Sequence, residues 1–135
     1  MSFRIYFFLY IYNKFIGLLH SLMDNFIYQT TLNCVLGQLF STYRSNKQLD
    51  QYEAANLVKI NKSSMSKLES GHMNFNIEHL FALCEAYEVD LSAVINDLVE
   101  TIKILEKNKV YVLKNSNISS NLPKLTRHQL GHFIR

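Results

Sequence analysis

The segment between Leu36 and Gly71 constrains the fold of this chain most strongly, because two short amphipathic stretches meet there at a tight polar turn. In the second stretch, Lys62–Ser70, Met65 and Leu68 recur at helical spacing on one side, and small polar and basic residues occupy the other. This pattern predicts a helix that is held by its apolar side and presents its polar side outward.

The residues that flank these stretches carry helix start and stop signals. Apolar residues recur every three or four positions from Thr31 to Lys47, which predicts a first helix. Asp50 is suited to cap a second helix, with Glu53 at the position that completes a capping box. Asn61 is suited to cap the third helix, and Gly71 to end it in a left-handed conformation.

Two further helices are predicted downstream, the fourth capped by Asn76 and the fifth running from Ala93 to about Lys107. The apolar face predicted for the fourth helix consists of Ile77, Leu80, Phe81, Cys84 and Tyr87. The fifth helix has an apolar stripe made of Val94, Ile95, Leu98, Ile102 and Leu105. This stripe extends further than a lone small domain needs.

The C-terminal part begins with a short β-prone run, Val110–Leu113. A polar linker and a basic tail follow, with Lys124, Arg127 and Arg135 among its charges. We expect residues 114–135 to form a mobile arm.

The first twenty-two residues are rich in Phe and Tyr and admit three interpretations. A transmembrane helix would carry Asn13, Lys14 and His20 near its middle, where polar groups are costly. A signal peptide would lack its small-residue cleavage site. We favour the third interpretation, in which Met23 opens the functional chain after an appended hydrophobic helix or translated upstream sequence.

Charge is distributed unevenly along the chain, although the net charge is only +3. Residues 44–67 contain five bases and two acids, whereas residues 68–100 contain seven acids and no Lys or Arg. Such a field would orient the molecule on a polyanion with its basic end forward. The alternative is two solvated helix faces of opposite sign.

The reactive residue types are scattered. Cys34 and Cys84 stand alone in apolar surroundings, as in a reduced intracellular protein. His128 and His132 have the spacing of one helix face but lack further ligands nearby, so we expect no metal site and no cofactor. Without a phosphate loop or a nucleophile set, we expect no enzyme, although His72, His79 and Cys84 around one cavity would change that expectation.

Taken together, residues 36–95 resemble the Xre-type, phage-repressor-like helix-turn-helix family. The resemblance is carried by the following residues and motifs: Leu36-Gly37, Arg44, Gln51, Ala55, Ile60, the motif S-K-L-E-S-G from Ser66 to Gly71, and the closing V-D-L-S-A-V-I. It implies an all-α fold, a five-helix lambda-repressor-like bundle, extended here by a hydrophobic N-terminal segment and by a C-terminal helix and short strand.

The resemblance also implies roles for particular residues. The third helix would lie in the major groove of double-stranded DNA, and Gln51 would sit against a phosphate at the N-terminus of the second helix. The positions that match base-facing or phosphate-facing residues are Lys62, Ser63, Ser66 and Lys67. Arg44 and Glu69 match the positions of an internal ion pair, which is a structural role.

The chain departs from the family pattern in the turn before the third helix. Lys59 stands where a glycine is usual, and a left-handed conformation costs a non-glycine residue about 1 kcal/mol. Ala54 and Leu57 also differ in size or polarity from the usual residues. We therefore expect a slight repacking of the second helix, which bears on the orientation of Gln51.

These observations predict four parts of the chain. They are a hydrophobic extension (1–30), the helix-turn-helix domain (31–96), a helix extension with a short strand (97–113) and a basic polar tail (114–135). Either the third part forms a dimer surface, through Leu98, Ile102 and Leu105 and the strand 110–113, or it packs back on its own domain.

The leading functional hypothesis is a cytoplasmic, sequence-specific transcriptional regulator that binds an operator as a homodimer. The alternatives are an antitoxin or phage-encoded module that binds another protein through its extensions, and a membrane-tethered regulator, which is not favoured.

Overall fold

The computed structural model describes residues 3–23, 26–114 and 122–134. Its elements, in chain order, are α1 (Phe3–Met23), β1 (Tyr28–Thr31), α2 (Leu32–Asn46), α3 (Gln51–Leu57), α4 (Lys62–Ser70), α5 (Ile77–Tyr87), α6 (Leu91–Lys107), β2 (Val110–Leu113) and α7 (Arg127–Phe133). The expected fold is confirmed, because α2 to α6 are the five predicted helices and the extensions add a helix at each end and a small pair of strands.

The local start and stop signals lie where the sequence predicts them. Asp50 accepts from the Glu53 N–H at 2.8 Å, and the Glu53 carboxylate accepts from the Asp50 N–H at 2.8 Å, so the capping box is complete. Asn61 caps α4 through the Ser64 N–H at 2.7 Å. Gly71 ends α4 with φ of 79°, and Lys59 has the left-handed φ of 58° that the missing glycine implied.

Helix α2 occupies the centre of the domain and contacts α4, α5, α6 and α7. Phe40, which is 1% exposed, stacks on Phe75 at 5.4 Å between ring centroids and also meets Tyr87. Burial of aromatic and aliphatic side chains of this size is the main favourable contribution to folding.

The crossing of α2 and α4 is unusually close at Gly37. A Cβ atom added there would lie 2.5 Å from the carbonyl oxygens of both Leu68 and Glu69. Only a residue without a side chain permits this approach, which brings α4 onto the domain core.

The strands form a two-stranded parallel sheet, with Tyr28 opposite Val110 and Thr31 opposite Leu113. Parallel pairing requires a long crossover, which is supplied here by the whole helical domain. All of strand β1 except Thr31 lies within the residues that the sequence assigned to the N-terminal extension.

The expectation of a dimer surface on residues 97–113 is wrong for most of its members. Leu98 and Leu105 are 9% and 0% exposed within the chain's own core, and β2 pairs with β1 of the same chain. The alternative interpretation, in which these residues pack back on their own domain, holds. Ile77 and Phe81, predicted on the apolar face of α5, are 61% and 58% exposed.

The described part of the C-terminal tail is also packed rather than free. Leu125 and Leu130 are 7% and 0% exposed, and α7 lies against α2. The Leu125 N–H donates to the Gln29 carbonyl at 2.9 Å, which adds a strand-like contact beside β1. The prediction of a mobile arm is therefore wrong for residues 122–134.

At the other end of the chain, α1 has described side chains that are all exposed from Phe3 to Ile16. The apolar residues between Phe3 and Ile16 surround the helix rather than forming one stripe. Among the described residues, no helix combines the length and the hydrophobicity needed to cross a membrane.

We predict that Gly37→Ala destabilises the domain by about 1 to 3 kcal/mol, because the new methyl group forces α2 and α4 apart. Thermal unfolding measures the effect. Gly131→Ala is the matched control, since a Cβ at that helical glycine would meet its nearest neighbour only at 4.0 Å. Equal melting temperatures for the two variants would contradict the proposed close contact.

Candidate nucleic-acid interface

Helix α4 separates its apolar and polar residues cleanly. Met65 and Leu68 are 1% and 0% exposed and hold the helix against the domain. The four residues that the sequence selected as ligand-facing are all exposed: Lys62, Ser63, Ser66 and Lys67. A row of ammonium and hydroxyl groups on this helix is thus accessible to a large polar ligand.

Arg44 and Glu69 form the internal ion pair that the resemblance implied. Arg44 Nε lies 2.6 Å from Glu69 Oε1, and a second guanidinium nitrogen lies 3.1 Å from Oε2. The third donates to the Leu49 carbonyl at 2.8 Å. The hydrogen bond to Glu69 raises the pKa of Arg44, so this guanidinium stays charged.

Gln51 belongs to the same network. Its amide nitrogen donates to Glu69 Oε2 at 2.8 Å, and the side chain is half-buried at the first position of α3. Gln51 therefore lies at the helix N-terminus, as predicted, but its side chain is oriented by a carboxylate rather than free in solvent.

Arg127 is a member of this network that sequence reasoning missed. The first residue of α7, it places a guanidinium nitrogen 3.5 Å from Glu69 Oε2 and also donates to the Ser41 hydroxyl. A local signal was present, because Thr126 and Gln129 form a capping box that starts α7.

Tyr87 lies close enough to this network for its charges to act on it. Burial raises the pKa of Tyr87 to about 12, and the charge on Glu69 adds to the shift. The Tyr87 hydroxyl is buried and has no hydrogen-bond partner within residues 3–23, 26–114 and 122–134. The network thus borders the buried core, where charge interactions are strong.

Two further lysines precede α4 in the chain, and they differ in their surroundings. Lys47 donates to Glu88, and this bond lowers the pKa of the Glu88 carboxyl. Lys59 is exposed in the turn before α4. Glu69 is the one buried acid of the acidic stretch 68–100, whose other six acids are exposed. The acidic part of the uneven charge distribution seen in the sequence therefore lies on the protein surface.

The residues that would have suggested catalysis have separate local roles. His72 Nδ1 lies 2.8 Å from the Ser70 hydroxyl, His79 closes the capping box of α5, and Cys84 is buried in the core. His128 and His132 contact each other edge-on at 5.5 Å. Across the described part of the chain, no group of three or more His, Cys, Asp or Glu residues is arranged to hold a metal ion.

In a comparison with protein families, residues 42–94 match a helix-turn-helix family. This segment contains most of α2, all of α3, α4 and α5, and the start of α6. No curated protein matches the chain in sequence.

Comparison with solved structures gives the same fold. Two crystal structures of the clp gene regulator ClgR from Corynebacterium glutamicum are 22% and 21% identical, with TM-scores of 0.50 and 0.55. They cover 53% and 57% of this chain and 92% and 82% of their own. A mutant of the restriction-modification controller protein C.Esp1396I is 19% identical with a TM-score of 0.50, covering 53% of this chain and 94% of its own.

We predict that Glu69→Gln destabilises the fold by about 3 to 5 kcal/mol, because the buried side of Arg44 loses its counter-charge. Urea unfolding measures the loss. Glu88→Gln, which removes the exposed partner of Lys47, is the control and should change stability far less. If the two variants unfold at the same urea concentration, the network does not hold the domain together.

Proposed function

We propose that this chain is a DNA-binding transcription regulator of the Xre, lambda-repressor-like helix-turn-helix type, as the match of residues 42–94 to a helix-turn-helix family supports. It binds a two-fold symmetric operator in double-stranded DNA as a homodimer, with α4 of each protomer in the major groove. It acts in the cytoplasm, by binding and without catalysis.

The observation that carries this proposal is the division of α4 into a buried apolar side and an exposed polar side. A helix in the major groove needs side chains that donate to base edges and phosphates. Lys62 and Lys67 donate to guanine O6 and N7 or to phosphates, and Ser63 and Ser66 are permissive readers of several bases. Two lysines and two serines give modest sequence discrimination.

Gln51 is proposed to contact a phosphate at the N-terminus of α3. Backbone N–H groups and the helix dipole favour an anion at such a position. The hydrogen bond to Glu69 uses one hydrogen of the Gln51 amide and leaves the second N–H for the phosphate. The orientation by Glu69 supports this role, since it reduces the freedom that Gln51 would lose on binding.

Dimerisation is proposed on energetic grounds. A single module of this kind buries roughly 600 to 1,000 Å² on DNA, so useful specificity normally requires two. The surface that we assign to it on α6 consists of Ile95 and Val99, 46% and 44% exposed, beside the half-buried Ile102. These residues lie one turn apart on the same side of the helix, as a helix-to-helix contact requires.

A second candidate is a module that binds another protein, as an antitoxin or phage-encoded partner does. The exposed aromatic and aliphatic side chains of α1 favour it, since exposed apolar surface of this extent marks an interaction site. Comparison of the full chain with the chain from Met23 onward tests it: loss of a partner but not of DNA binding would assign α1 to that partner.

We predict that Lys67→Ala weakens binding to the preferred operator by about 1 to 3 kcal/mol and binding to random DNA much less, because a base contact is lost. Randomised-duplex selection at stated salt defines the operator, and competition titration measures both affinities. Lys107→Ala, an exposed lysine on α6, is the charge control. Equal losses on both DNAs would make Lys67 a phosphate contact only.

We predict that Val99→Glu weakens the dimer at least tenfold, because a carboxylate is placed inside an apolar contact. Sedimentation equilibrium measures the dissociation constant. Ile104→Glu makes the same change at a similarly exposed residue, 43%, on the other side of α6, and should leave the dimer intact. A dimer that both variants leave unchanged lies on another surface.

A further inference from the structure

We propose that Arg127 is a positioning residue of the DNA-binding site. Its guanidinium gives the Arg44–Glu69–Gln51 network a net positive charge, so that Gln51 can receive a DNA phosphate. This inference rests on the proposed function, and it joins the C-terminal segment to the DNA-binding unit.

The position of Arg127 is fixed by contacts on both sides. On the side of residue 126, the Gln29 N–H donates to the Pro123 carbonyl and the Leu125 N–H to the Gln29 carbonyl, both at 2.9 Å. On the other side, Leu130 of α7 is fully buried in the core. Because the chain is held on both sides of Arg127, the backbone of this residue has a fixed place in the domain.

The guanidinium of Arg127 reaches across α2 to the network. One nitrogen lies 3.5 Å from Glu69 Oε2 and donates to the Ser41 hydroxyl, and Nε donates to Gln38 Oε1 at 3.4 Å. Its side chain is 33% exposed, compared with 13% for Arg44 and 1% for Glu69. Arg127 is thus the more exposed of the two guanidinium groups on Glu69.

The charges of the network do not cancel. Arg44 alone would neutralise Glu69, and Arg127 adds a second guanidinium to the same carboxylate. One surplus positive charge therefore remains on the network that also holds the Gln51 amide.

The surplus charge sets the electrostatic environment of a phosphate bound at Gln51. The Gln51 amide is bonded to a carboxylate, so an approaching phosphate also approaches a negative group. With Arg44 alone, the network would be neutral and the phosphate would gain little beyond one hydrogen bond. With Arg127 in place, that hydrogen bond forms in a field that favours the anion.

The experiment measures binding of the full chain to duplex DNA selected by the wild type, at several salt concentrations and well below the lowest melting temperature. The variants are Arg127→Gln, Arg127→Lys and Gln51→Ala, with the double variant of Arg127→Gln and Gln51→Ala. Lys124→Gln, an exposed lysine three residues earlier, is the control for charge on the same segment.

We expect Arg127→Gln to bind about tenfold more weakly, the size of an ordinary coupling within one hydrogen-bond network. Arg127→Lys should recover most of the affinity, Lys124→Gln should bind as the wild type does, and Arg127→Gln should have little further effect once Gln51 is Ala. A merely structural role would lower the melting temperature without this dependence on Gln51.

Three results would overturn the inference. They are wild-type affinity in Arg127→Gln, an equal loss with or without Gln51, and a salt dependence reduced by about one phosphate, which would make Arg127 a direct contact. Failure of the wild-type chain to select or bind any duplex is a different outcome, because it overturns the proposed function itself.

Discussion

The rest of this domain depends on one buried carboxylate, that of Glu69, which accepts hydrogen bonds or ion pairs from three other helices. It is 1% exposed and receives Arg44 from α2, Gln51 from α3 and Arg127 from α7, while its own backbone belongs to α4. An unpaired charge at this depth would be very costly, so the four elements are constrained to keep their donors in place. The orientation of the polar side of α4 therefore depends on all four helices that meet at Glu69.

The helices can meet at Glu69 because the backbones of α2 and α4 approach closely at Gly37. That approach places Glu69 within reach of Arg44, and it presses Met65 and Leu68 into the core. The same contact turns Lys62, Ser63, Ser66 and Lys67 toward solvent. Packing on one side of a nine-residue helix thus decides the chemistry offered on its other side.

Where a structural feature depends on neighbours along the chain, the sequence predicted it well. The caps at Asp50, Asn61 and Gly71 operate within one turn of helix, and each lies where its residue type requires. Apolar periodicity was less informative about what covers a face. Ile77 and Phe81 fit the helical pattern of α5 yet are exposed, because periodicity identifies a common side of a helix and not the element opposite it.

The sequence by itself determined the helices of residues 32–107, the segregation of polar residues on α4 and, through the family resemblance, the Arg44–Glu69 pair. Only the tertiary structure decided that β1 pairs in parallel with β2 across the whole domain and that α7 returns to α2 with Arg127 on Glu69. The physical reason is range: caps and periodicity arise from residues within a few positions, whereas these contacts join residues more than fifty positions apart, whose meeting depends on the entire packed core.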